Sequence, residues 1–243
     1  MCNFVYAFLL PLYGWLMNER AIERVSIYGS HLNEINLIFH ILKIVLIYST
    51  GLFSLKIFQI CSGENHTIVL TTDRTVFTWG SNEFGQLGHG DLVDRKKPEL
   101  VSSLTQKSLI RIACGNDFSI FGPENGIIMT CGSGISGSLG HGDFKDVLKP
   151  RLIESLLTID VVCISATNSH VVVVSSEDVI YGWGSNKNGQ LGLDSLNLYC
   201  SPQVITFKEH VLVKNAFTSE DATMLLTETG GLLASGNNNG EII

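Results

Sequence analysis

The sequence predicts an all-β fold assembled from repeated modules, and two observations carry that prediction. The first is a constant period of 52 residues. Gly80, Gly132, Gly184 and Gly236 stand one period apart, as do Gly85, Gly137 and Gly189, and Leu87, Leu139 and Leu191. Gly88, Gly140 and Gly192 keep the same step, and so do Pro98, Pro150 and Pro202, with no insertion between copies. The second is the content of each period, which is a set of short β-prone runs closed by turn residues. A unit of this length cannot bury its own apolar face, so it must stack against copies of itself.

Residues 1–54 stand outside the period. The apolar run from Phe4 to Met17 contains Pro11 and Gly14 and has no basic leader, so it does not read as a signal peptide. The stretch from Leu37 to Ile60 is long enough to span a bilayer, but His40, Lys43 and Lys56 argue against a membrane segment. Two readings stay open for 1–54: a helix covering the edge of the first repeat, or an irregular lead-in with no selected fold. Val25–Ser30 resembles Val76–Ser81, yet no Gly-x-Leu-Gly follows it, and the similarity is read as chance.

The first copy spans about 55–108. Lys56–Cys61 is a β-prone run closed by Ser62-Gly63, Thr67–Thr71 is a second, Thr72-Asp73-Arg74 is a tight turn, and Thr75–Trp79 is a third run stopped by Gly80. The second copy, 109–160, repeats the order with Leu109–Cys114, Phe118–Phe121, a turn at Glu124-Asn125-Gly126, and Ile127–Cys131 before Gly132. The third, 161–212, has Val161–Ser165, Val171–Ser175, a turn near Glu177-Asp178, and Val179–Trp183 before Gly184. A fourth, 213–243, reaches only Asn239-Gly240-Glu241 in its Gly-rich loop. Such runs predict an antiparallel meander in each copy.

After each strand-ending glycine comes a loop: Ser81–Gly88, Ser133–Gly140 and Ser185–Gly192. Glycine fits where φ must be positive or backbones approach closely. The single leucine between glycines is placed to plug the loop onto the core. The recurring prolines are expected to fix the entry to the next strand. The structural set is therefore Trp79, Gly80, Gly85, Leu87, Gly88, Gly132, Gly137, Leu139, Gly140, Trp183, Gly184, Gly189, Leu191, Gly192 and Gly236. Cys131 takes the place of the tryptophans of its neighbours.

The net charge is −7 and charged residues make up 16% of the chain. The charges of 1–54 cancel, so the whole excess of acid falls in the repeats. That disfavours binding to a phosphate backbone. A mean hydropathy of +0.26 permits a sizeable core. Six cysteines without a CxxC pair read as reduced, buried thiols of a cytosolic chain.

No catalytic constellation is expected. Asp117-Phe118-Ser119 and Asp143-Phe144-Lys145 echo a kinase tripeptide, but the other kinase motifs are missing. Gly132–Gly137 matches Gly-x-Gly-x-x-Gly only because the repeat places those glycines. His89 and His141 are one period apart beside Asp91 and Asp143, which puts them on separate modules as loop residues, not as metal ligands. His66 and His170 are two periods apart and are expected in hydrogen bonding within the modules. No cofactor is expected. Arg95-Lys96-Lys97, the only basic cluster, is read as a solvated loop and the candidate partner contact.

Trp-Gly-Ser-Asn-x-x-Gly-Gln-Leu-Gly, preceded by Cys-Ser-Gly-Glu-Asn-His-Thr from Cys61 to Thr67, resembles the repeat of the regulator of chromosome condensation family. The resemblance covers about 55–243. It implies a β-propeller, in this family seven blades of four antiparallel strands, of which this length supplies about three and a half. Seven such blades would need roughly 360 residues. Kelch repeats would show paired glycines, and WD repeats would put Trp-Asp where this chain has Trp-Gly. Gly126–Thr130, Gly137–Gly142 and Pro150–Leu157 are most similar to the propeller attached to NimA-related protein kinases. That resemblance implies a non-catalytic regulatory module without its kinase domain, binding a kinase domain, a cytoskeletal adaptor or a small GTPase. It also implies a cytoplasmic, centrosomal or ciliary location rather than a nuclear one. The alternative is guanine nucleotide exchange on a small GTPase, for which no inserted hairpin is visible.

Overall fold

The computed structural model describes residues 27–28, 56–207, 211–238 and 241–242. In the first sheet β1 (Ile27–Tyr28) runs parallel to β2 (Ile57–Ser62), which continues antiparallel through β3 (His66–Thr71), β4 (Val76–Gly80) and β5 (Arg95–Leu100). The second sheet holds β6 (Leu109–Cys114), β7 (Phe118–Pro123), β8 (Met129–Gly132) and β9 (Val147–Leu152). The third holds β10 (Val161–Thr167), β11 (His170–Ser175), β12 (Ile180–Ser185) and β13 (Leu198–Ile205). The fourth holds β14 (Val213–Thr218), β15 (Ala222–Thr227), β16 (Leu232–Asn238) and the two-residue β17 (Glu241–Ile242). Apart from the parallel β1, each sheet is an up-and-down meander. The first strands of successive sheets touch in the order β2, β6, β10, β14, so the sheets radiate from a common centre as blades.

Burial follows from that arrangement. A second strand such as β7 or β11 has sheet on both sides and a blade on each face, and every residue in these two strands, and in β3 of the first blade, is buried. Its sequence accordingly reads as a near-continuous apolar run rather than an alternation. The main cores lie between blades. Ile68, Leu70 and Val76 of the first blade meet Leu109, Ile112 and Phe121 of the second. Ile120, Ile128 and Leu139 of the second meet Val161, Val171 and Trp183 of the third. Val172, Val174 and Ile180 of the third meet Val213, Ala216 and Leu225 of the fourth.

The strand-ending glycines are required by a close approach. Gly80, Gly132, Gly184 and Gly236 have φ of 113, 114, 95 and 116°. A Cβ on them would lie 2.3, 2.3, 2.3 and 2.1 Å from the carbonyl oxygens of Asn65, Asp117, Ser169 and Asp221. Those oxygens accept hydrogen bonds of 2.8 to 2.9 Å from the amides just after the glycines. The turn after each first strand is thereby stitched to the exit of the third.

Three expectations change. Pro98, Pro150 and Pro202 lie inside the fourth strands β5, β9 and β13, not at the entry to the next blade. A strand paired on one side only tolerates the missing donor. Arg95, Lys96 and Lys97 likewise belong to β5, so they are edge strand and not loop. Ile57–Ile60, the end of the apolar stretch 37–60, is strand within β2. Most of 1–54 lies outside the described residues. Its described part, Ile27–Tyr28, pairs with a first strand and does not take the third-strand place held by Val76–Gly80. Among the described residues no helix is long and apolar enough to cross a membrane.

Candidate interaction rim

The loops that join third to fourth strands, and the turns that join first to second, emerge on the same rim. Each long loop is held by its own side chains. In the first blade the buried Asn82 donates to the Asp91 carbonyl at 2.8 Å and accepts from the Leu87 amide at 2.9 Å. The Gln86 side-chain oxygen accepts from the Phe84 amide at 3.0 Å. The third blade repeats these bonds with Asn186 and Ser195 at 2.7 Å, Leu191 and Asn186 at 2.8 Å, and Asn188 and Gln190 at 2.9 Å. Leu87, Leu139 and Leu191 are fully buried beneath the loops.

His89 and His141 are loop residues tied to their own blades. Each Nε2 lies 3.0 Å from a third-strand hydroxyl, of Thr78 and Thr130 respectively, and each hydroxyl also donates to the carbonyl of the plugging leucine. Burial lowers the pKa of both rings. The third blade has Gly182 and Leu193 at these two places, so the threonine and histidine are lost together. Among the described residues no three His, Cys, Asp or Glu side chains are grouped to hold a metal.

Neighbouring blades are locked side by side. The Gln59 amide makes two bonds to the backbone of Ile112, at 2.8 and 3.0 Å. His66 Nε2 meets the Ser119 hydroxyl at 3.0 Å, and His170 Nε2 meets the Thr223 hydroxyl at 3.0 Å. These two histidines bond between blades, each to a separate partner. Backbone bonds of 3.1 Å run from Glu64 to Asn116 and from Asn116 to Asn168 along the rim.

Burial pushes the His170 pKa down to about 4. The unfolded chain takes up a proton near the ordinary value of 6.5, which the folded chain refuses until far lower pH. Stability is therefore intact above about pH 6.5 and falls as pH drops toward 4. His170→Phe places there the residue that Phe118 supplies one blade earlier. Relative to the parent, this variant should retain about 2 kcal/mol more of its neutral-pH stability at pH 5. Urea melts of both chains at pH 7 and pH 5 check it; an equal acid loss in the two chains contradicts it.

The sequence reading missed the charge of the rim. Its turns carry Glu64, Asp117, Glu220 and Asp221, and its loops carry Glu83, Asp91, Asp94, Asp143, Asp146 and Asp194. Lys145 and Lys187 are its lysines. The Asp117 carboxyl is held above the usual range by burial and then by the charges of Glu64 and Glu83, which marks where the acids crowd most. The signal was available as acids recurring at turns and Gly-rich loops, but they are far apart in sequence. Arg95, by contrast, is neutralised in place. It pairs with Asp91 at 2.9 Å and Glu99 at 2.7 Å, and it holds the Asp91 carboxyl down at about 2. Lys96 and Lys97 stay exposed on the outer strand, away from the crowded acids.

The regulator of chromosome condensation (RCC1) repeat model matches residues 73–121, 125–174 and 177–226. The serine/threonine-protein kinase Nek9 of Xenopus laevis is 34% identical over 187 residues, covering 74% of this chain and 20% of the kinase. Nek8 of Danio rerio is 27% identical over 244 residues, covering 93% of this chain and 34% of the kinase. The chain thus spans a minor part of the length of these relatives. Prp20p of Saccharomyces cerevisiae, a protein with binding properties towards Gsp1p and histones, shares the fold with a TM-score of 0.66 at 21% identity, over 76% of this chain and 44% of that one. The period, the blades and the matched repeats agree, and the chain belongs to the regulator of chromosome condensation (RCC1) repeat family.

Proposed function

We propose that this chain is a non-catalytic regulatory propeller segment that holds a basic segment of a protein partner against its acidic rim. The carrying observation is the rim itself: loops fixed by buried Asn and Gln side chains, spaced by locked blades, and bearing acids that crowd at Glu64, Glu83 and Asp117. Rigid scaffolds bind through such loops because the blades set their position while their exposed residues vary. Likeness to the Nek9 and Nek8 kinases supports a kinase domain as the partner class; a cytoplasmic, centrosomal or ciliary location belongs to the same proposal.

Binding of NimA-related kinase domains to the immobilised chain tests this reading. The double reversal Glu64→Lys with Glu83→Lys should weaken retention at least about tenfold, and added salt should do the same to the parent. Retention indifferent to both would end the proposal. A nucleotide-release assay on small GTPases runs beside it. Acceleration by the chain would replace this reading with an exchange activity.

A further inference from the structure

We propose that Cys61 and Cys114 form a dithiol site that a small peroxide converts into a disulfide joining the first two blades. Cys61 lies in the first strand of one blade and Cys114 in the first strand of the next, and these strands touch. Both side chains are buried, at 1 and 3% exposure, within one apolar cluster. The repeat supplies the geometry of the pair. Two periods later the same two positions hold Ser165 and Thr218, whose hydroxyl oxygens lie 2.9 Å apart across the third and fourth blades. At the intervening junction the positions hold Ala113 and Ala166, so the first junction alone pairs thiols there. Burial, followed by a hydrogen bond with the Cys61 thiol, raises the Cys114 pKa well above its ordinary value. The two thiols thus sit in one buried cluster, and closed blades keep the Cys114 thiol protonated.

The chemistry balances with hydrogen peroxide as oxidant. One thiolate attacks a peroxide oxygen; the O–O bond breaks, giving a sulfenic acid and, with a proton, one water. The second thiolate attacks that sulfur; the S–O bond breaks and the departing hydroxide takes a proton as the second water. Two thiols and one peroxide give one disulfide and two waters. Access comes through transient parting of the first two blades, because neither sulfur is reached while they are packed.

The experiment treats the full chain with hydrogen peroxide, blocks remaining thiols, and maps the digest without reduction by mass spectrometry. A peptide linking Cys61 to Cys114 is expected as the main intramolecular product. Its rate of formation should rise severalfold in sub-denaturing urea. The double variant Cys61→Ser with Cys114→Thr copies the pair found at Ser165 and Thr218, and should keep the parent's melting temperature while losing the link. If Cys114 links to Cys131 instead, or if Cys200 oxidises while Cys61 and Cys114 stay reduced throughout the urea series, the proposal is overturned. Should the double variant fail to fold, the mapped parent product still decides.

Discussion

Trp183→Ala should cost about 3–5 kcal/mol, a large share of the stability of a domain this size. The indole is fully buried between the second and third blades. Its Nε1 donates to the Ser138 carbonyl at 2.7 Å, on the loop of the preceding blade. The same reach occurs one period earlier, from Cys131 Sγ to the Gln86 carbonyl at 3.6 Å, and one period later, from the Ser235 hydroxyl to the Gln190 carbonyl at 2.9 Å. Three side-chain types serve one acceptor position, so the carbonyl of the preceding loop is the constant feature. Truncation removes the ring, leaves a cavity in a two-blade core, and orphans a buried carbonyl. Trp183→Phe separates these effects, since it keeps most of the volume and loses the donor; its cost should be about 1–2 kcal/mol. Urea denaturation of both variants measures the difference. Equal costs would show that the bond, not packing, carries the position.

That contact also shows how far the sequence could be read. The glycine and leucine steps place the blades because only glycine fits the backbone approach at Gly132 and only an apolar side chain plugs the loop at Leu139. The first three strands of the second and third repeats are visible as apolar runs because neighbouring blades bury both of their faces. The fourth strand is hidden. Arg95–Leu100 is polar and contains Pro98, since an outer edge needs neither an apolar face nor a full ladder of donors. The rim is hidden for another reason. Glu64, Glu83 and Asp117 are brought together by the meander and by the neighbouring blade, and no local pattern links them. The pairing of Thr78 with His89 and of Thr130 with His141 was open to inference, because both partners change together to Gly182 and Leu193.

The free face of the fourth blade should make the chain associate, and a single charge should stop it. Val76, Ile128 and Ile180 occupy one repeat position and are 1, 1 and 2% exposed, whereas Leu232, the next in the series, is 68% exposed. Ile68, Ile120 and Val172 are each 0% exposed, and their successor Met224 is 43% exposed. The same apolar surface is thus buried three times by the following blade and left open on the fourth. Covering a leucine side chain is worth about 1.5–3 kcal/mol, so several such residues together favour a partner surface over water. Sedimentation of the parent should show concentration-dependent association. Leu232→Asp should weaken that association while leaving the melting midpoint nearly unchanged, because the new carboxylate stays in water. Ile180→Asp places the same group inside the core between the third and fourth blades, where an unpaired charge is not tolerated, and should unfold the chain. A parent that sediments as a single monomer over a wide concentration range would remove the premise. Equal destabilisation by the two aspartates would instead mean that Leu232 is already covered.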